Sequence, residues 1–163
     1  MMLSRTQILR LIPHQGAMCL LDGVQRWDER SIVCAATNHR DVSHPLRDGG
    51  TLRSVCGIEY AAQAIAVHGG LLAGAGLTPT PVGFLAAVRD LVLRVDRLDD
   101  ISGPLSIRAE ALMAQGNGRM YRFAVSAGGQ ELLSGRVSVF VSRTDADIPS
   151  ASPSRDNGPT CTS

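Results

Sequence analysis

The sequence predicts an α+β domain in which one long, strongly apolar helix is wrapped by an antiparallel sheet. Two patterns carry that reading. From Ser54 to about Ala73 the chain is alanine-rich, free of proline and poor in polar residues on every side, and a helix apolar all round belongs inside a domain. After Pro79-Thr80-Pro81 the hydrophobic period changes to two, the mark of half-buried strands. A sheet curved around the helix buries both.

The elements follow in order. Ala17 to Trp27 and Ser31 to Thr37 are short apolar runs, and Asp28-Glu29-Arg30 between them reads as a hairpin turn. An irregular polar stretch from Asn38 to Leu52 holds His39, His44, Pro45 and Gly49-Gly50. Ser54 suits the helix N-cap, and Gly69-Gly70 or Gly74 its C-terminal end. Ile58, Ala61, Ala62, Ile65 and Leu72 fall on one helical stripe. Leu91, Leu93 and Val95 then share one strand face, as do Leu105, Ile107, Ala109, Ala111 and Met113 against Ser106, Arg108 and Glu110. Tyr121, Phe123 and Val125 repeat the alternation, and Val137, Val139 and Val141 repeat it again. Gly116-Asn117-Gly118 and Gly128-Gly129 are placed as the turns between them. The expected sheet has five to seven strands. From Thr144 onward three prolines and a single large aliphatic residue leave too little apolar surface to offset ordering. The domain is therefore read as residues 1–143, with 144–163 a disordered tail.

Composition narrows the function. At 163 residues and 44% hydrophobic the chain supports one core. Sixteen basic against fifteen acidic residues argue against binding nucleic acid by phosphate neutralisation. Every basic residue is arginine, so lysine nucleophiles and Schiff bases are excluded. No window reaches the ~18 to 20 continuous apolar residues of a membrane span, and the N-terminal residues lack a signal-peptide stretch. A cytoplasmic location is the expectation. The cysteines at 19, 34, 56 and 161 have neither C-x-x-C spacing nor a nearby histidine pair, so they read as buried thiols and no metal site is expected. Gly116-Asn117-Gly118 is no phosphate loop and Gly69-Gly70 no dinucleotide fingerprint.

Proton-transfer groups remain. Glu59 sits one turn into the apolar helix, where burial would favour its neutral form and suit a general acid. The alternative is a first-turn carboxylate facing the helix dipole. Gln63, four residues on, shares its face and is placed to orient either a substrate oxygen or Glu59 itself. His44 lies on the loop that delivers the chain to the helix start, and its ordinary pKa suits a general base. A solvated or capping histidine is the alternative, and His39 competes for the role. His14 reads as structural, and His68 as a core residue or subunit contact. Cys56, in the first helical turn, reads as packed.

The words themselves resemble a known family. Leu11-Ile12-Pro13-His14-Gln15-Gly16-Ala17-Met18-Cys19-Leu20-Leu21-Asp22-Gly23-Val24 is similar to the opening of FabZ-type 3-hydroxyacyl-[acyl-carrier-protein] dehydratases. Glu59-Tyr60-Ala61-Ala62-Gln63 resembles their helix signature, Gly83-Phe84-Leu85-Ala86-Ala87-Val88-Arg89 their central strand, and Gly103-Pro104-Leu105 the turn after it. Gly57-Ile58-Glu59 with Ala62-Gln63 looks like the divergent branch associated with aryl-polyene gene clusters. The resemblance implies a hotdog fold, dimeric through sheet edges, with a histidine of one subunit and a helix carboxylate of the other eliminating water from a 3-hydroxyacyl thioester. Carried over, Glu59 is the carboxylate and His44 the base, while a backbone N–H near Ser54 or Val55 holds the thioester carbonyl. Gln63 completes the substrate-binding set. No resident cofactor is implied, because 4'-phosphopantetheine arrives on the acyl carrier protein. Arg5, Arg40, Arg47 and Arg53 are candidates for the carrier-docking rim. The loop departs from the family: Ser43-His44-Pro45-Leu46 lies one residue further from the carboxylate, and Arg53-Ser54 replaces Pro-Gly. That departure keeps open a non-catalytic subunit partnering a second dehydratase in a heterodimer. An acyl-thioesterase on the same fold is the other alternative to a dehydratase homodimer.

Overall fold

The computed structural model describes residues 2–74 and 82–142. Its strands are β1 (Leu3–Ser4), β2 (Gly23–Trp27), β3 (Ser31–Ala36), β4 (Val82–Leu93), β5 (Leu105–Gln115), β6 (Gly118–Ala127) and β7 (Gln130–Ser142). A short helix α1 (Arg5–Ile8) lies between β1 and β2, and the long helix α2 (Gly57–Ala73) continues from a 3-10 turn at Ser54–Cys56. The strands form one antiparallel sheet in the order β1-β2-β3-β5-β6-β7-β4. α2 packs on β3, β5 and β6. A long helix held in a curved, unclosed sheet is the hotdog arrangement.

The period-two residues do what their spacing dictates. Leu105, Ile107 and Ala109 on β5, Tyr121, Phe123 and Val125 on β6, and Val137 on β7 are all buried in the helix-facing core. The hairpins turn where the glycines lie: Gly116 has φ +56°, Gly128 +56° and Gly129 +80°, conformations that L side chains rarely adopt. At Gly57 the requirement is steric, since a Cβ would stand 2.6 Å from Leu133 Cδ2 on β7. The helix start is thereby pressed directly onto the sheet.

Some expectations shift. A register irregularity between Ala111 and Met113 moves Met113 opposite Met120 and off the core face, leaving it 57% exposed. A bulge adds one residue and so inverts the alternation beyond it. Residues 16–18 form a 3-10 turn, so β2 begins only at Gly23. Ser54 makes no capping bond, because the 3-10 turn already carries the chain into the helix. Leu72 ends up exposed on the last turn of α2. Gly74, with φ +85°, closes that helix. The segment from Ser54 to Ala73 is long and apolar enough to cross a membrane by length and composition alone, but half of it is buried inside the domain. Pro79-Thr80-Pro81 and the tail from Thr144 lie outside the described residues.

Candidate active site

The first turn of α2 places Glu59 at the mouth of the core rather than in it. Its side chain is 34% exposed, so the desolvation expected of a fully buried carboxylate is not present. Two donors converge on its Oε1. His14 Nε2 lies 3.1 Å away, and Gln63 Nε2 donates from 3.1 Å one helical turn further on. Oε2 has no protein partner among the described residues and is not sealed from solvent.

Gln63 explains why this grip is rigid. It is wholly buried, accepts the Leu20 N–H at Oε1 (2.8 Å), and donates to the Met18 carbonyl (2.8 Å) as well as to Glu59. Both of its N–H donors are spent on the protein and the side chain is wholly buried, so it orients Glu59 and has no donor left for a substrate oxygen. These bonds also pin the Gly16–Met18 turn against α2. That turn follows directly on Pro13-His14, and His14 is thereby held against Glu59. The position of His14 after Pro13 suggests a structural role; the structure places it in contact with the carboxylate. His14 Nδ1 is buried without a hydrogen-bond partner.

His44 is held elsewhere within the chain. It is 5% exposed, and its Nδ1 accepts the Leu46 N–H at 3.1 Å. The ring hydrogen therefore sits on Nε2, which donates to the Tyr60 hydroxyl at 2.9 Å; that hydroxyl donates in turn to Asn38 Oδ1 at 2.8 Å. Burial, with the Arg47 charge second, lowers the His44 pKa and favours the neutral ring. Both nitrogens are occupied. The physical reason for its separation from Glu59 is helical geometry: Tyr60, its partner, is the next residue and points about 100° away from Glu59.

The remaining candidates divide plainly. The Ser54 N–H donates to the Asp96 carbonyl at 3.0 Å, whereas the Val55 N–H has no backbone acceptor among the described residues, and Val55 is 46% exposed. Val55 thus offers the free donor at the helix start, one turn before Glu59. His39 Nε2 bonds the Ile101 carbonyl at 3.0 Å. His68 bridges the Tyr121 hydroxyl and the Asp28 carbonyl in the core. Burial raises the Cys56 thiol and pushes Cys34 up to about 12, as expected of packed cysteines. Arg5 is tied to the Gly16 carbonyl and Arg47 to the Gly50 and Arg40 carbonyls, while Arg40 and Arg53 remain exposed.

The arrangement is a carboxylate fixed at one oxygen and open at the other, beside a helix N-terminus that offers a backbone donor. Comparison with solved structures places it. The dehydratase heterocomplex ApeI:P from Xenorhabdus doucetiae is 25% identical, with 83% of this chain and 90% of that one covered and a TM-score of 0.73. AziG of S. sahachiroi (17% identity, 82% and 99% covered, TM-score 0.54) shares the fold. So does a mutant of the thioesterase PA1618 from Pseudomonas aeruginosa (13% identity, 73% and 79% covered, TM-score 0.52). A search of curated protein sequences gives no match. The family model for ApeP-like proteins, described as ApeP dehydratase, matches residues 6–149. That match spans the Pro13-His14 segment, the Glu59 helix and every strand from β2 to β7, and on it the chain belongs to the ApeP-like dehydratase family.

Proposed function

We propose that the chain is a catalytic dehydratase subunit that eliminates water from a 3-hydroxyacyl thioester carried by acyl carrier protein, in complex with a second hotdog subunit. The observation that carries this reading is the Glu59 carboxylate, gripped at Oε1 and free at Oε2 on the first turn of an otherwise buried helix. Elimination needs one proton removed from C2 and one delivered to the C3 hydroxyl, and a carboxylate is competent in either role. The negative charge that develops on the thioester oxygen is met by the Val55 N–H and the positive end of α2. Pantetheine enters with the carrier, so the scheme requires no resident cofactor.

The outermost strand supports the partner. β4 pairs with β7 on one side only, and Phe84, Leu85, Leu91, Val92 and Leu93 along it are all at least 37% exposed. A long apolar edge strand invites pairing with another sheet. The match to the dehydratase heterocomplex ApeI:P favours a second subunit of different sequence over a homodimer.

The test is a dehydration assay on a 3-hydroxyacyl carrier substrate, with the chain alone and co-purified with a paralogous hotdog subunit. Glu59→Gln is expected to lower the rate by about two orders of magnitude or more. A Glu59→Gln complex that works at full rate would assign catalysis to the partner and make this chain a non-catalytic subunit. Release of free acid and thiol, in place of the ultraviolet-absorbing enoyl product, would instead establish a thioesterase.

A further inference from the structure

Resting on the reading that the substrate arrives on an acyl carrier protein, we infer that this acidic carrier docks on the outer face of the sheet, on a row formed by Arg122, Arg136 and Arg89. The strand register sets the three side by side. Arg122 on β6 stands opposite Arg136 on β7, and Arg136 stands opposite Arg89 on β4. Tyr121 and Phe123 flank Arg122, and Val137 follows Arg136; all three are buried in the core, so the arginines occupy the opposite, exposed face. Like charges directly opposite one another weaken a sheet, so the fold gains nothing from this row. Asp90 bonds Arg136, and Arg108 on the same face uses Glu110. Arg89 and Arg122 make no ion pair among the described residues. The face is therefore basic although the chain as a whole is nearly neutral. A surface kept soluble by charge intersperses both signs, whereas a row of one sign attracts a partner of the other.

Spacing and position both suit a carrier. Neighbouring strands lie about 4.8 Å apart, and acidic side chains three or four residues apart on a helix stand about 5–6 Å apart. Three guanidinium forks in a row thus match a run of carboxylates along one face of a carrier helix, each taken in the planar geometry that arginine favours. The row also lies near the site. Three residues of β7 separate Arg136 from Leu133, about 10 Å along the strand. Leu133 pairs with Leu93 at the last position of β4, and on its other side it presses on Gly57 at the start of α2. The Ser54 N–H bonds Asp96 just beyond β4, so the helix N-terminus sits at this same end of the sheet. Val92, 42% exposed, and Ser134 form the outer surface between the row and that end. A carrier seated on the arginines delivers its thioester arm around the sheet end at Leu93 to the Val55 N–H. The β4 edge stays free for the second subunit.

The experiment titrates holo acyl carrier protein into the assembled complex by calorimetry, with the native chain and with Arg89→Glu/Arg122→Glu. Arg136 is kept because Asp90 holds it. The double variant is expected to raise Kd about tenfold or more and to flatten its dependence on salt. In steady-state kinetics KM for the carrier-borne 3-hydroxyacyl substrate should rise in step, while turnover of the same acyl group on free pantetheine stays within about twofold of native. Unchanged Kd and KM, an effect carried instead by Arg40→Glu or Arg53→Glu at the helix start, or equal loss on carrier-borne and free thioesters would overturn the inference while leaving the dehydratase reading in place. Loss of the second subunit from the variant complex on gel filtration would make the row a subunit contact and overturn it too. A native complex that binds the carrier through these arginines but dehydrates neither substrate would overturn the dehydratase reading and uphold the docking surface.

Discussion

Replacing Gln63 by methionine isolates the brace beneath the site. The substitution nearly conserves volume, so it opens little cavity and its cost comes from three lost hydrogen bonds. The Leu20 N–H, on a residue with no exposed surface, loses its 2.8 Å acceptor and becomes a buried orphan donor, which costs about 1–3 kcal/mol. The other two losses weigh less. Met18 is 40% exposed and the Glu59 side chain 34%, so water replaces the missing donor at both. Burial of the more apolar methionine offsets part of the total. A net loss of about 2 kcal/mol follows, which in a chain of this size lowers Tm by about 4–8 °C. Urea unfolding of native and Gln63→Met protein, analysed at constant m, measures the difference. A variant as stable as the native chain would refute the claim that Leu20 N–H depends on Gln63.

Two further outcomes are expected. Gly57→Ala should destabilise by about 1–3 kcal/mol in thermal or urea melts, because the new methyl group would stand 2.6 and 2.7 Å from the two methyls of Leu133, a fully buried side chain that must shift to admit it. The pH dependence of stability should carry the signature of His44. Its folded pKa is lowered, so the unfolded chain binds the proton first, and stability present above about pH 6.5 declines as pH falls from there through the folded value. His44→Gln, which retains a donor and an acceptor, should remove that component. Equal acid sensitivity in the variant would show that His44 does not contribute it.

Much of the fold was legible because local rules and tertiary packing agree. Strand alternation on β5 up to Ala109 and through Tyr121, Phe123 and Val125 on β6, with the glycine turns between the strands, follows the sequence pattern, since these core-facing residues are buried against the helix. Met113 was misplaced because a bulge inverts the alternation without any marker in the apolar pattern. At the site, Glu59 and Gln63 were legible through helical spacing and share the predicted face. The contact of His14 with Glu59 was not, although Pro13-His14 lies in the segment that resembles the dehydratases. It depends on Gln63 reaching back 43 and 45 residues to Leu20 and Met18, a span that no sequence period encodes.

By itself, then, the sequence determined a single core, an apolar helix bearing one acid, and strands that wrap it, because periodicity and composition are local properties of the chain. Only the tertiary structure decided which imidazole meets the acid and which ring nitrogen stays free. Those outcomes depend on hydrogen bonds between distant segments, where Tyr60 holds one histidine and Gln63 fixes the turn that delivers the other.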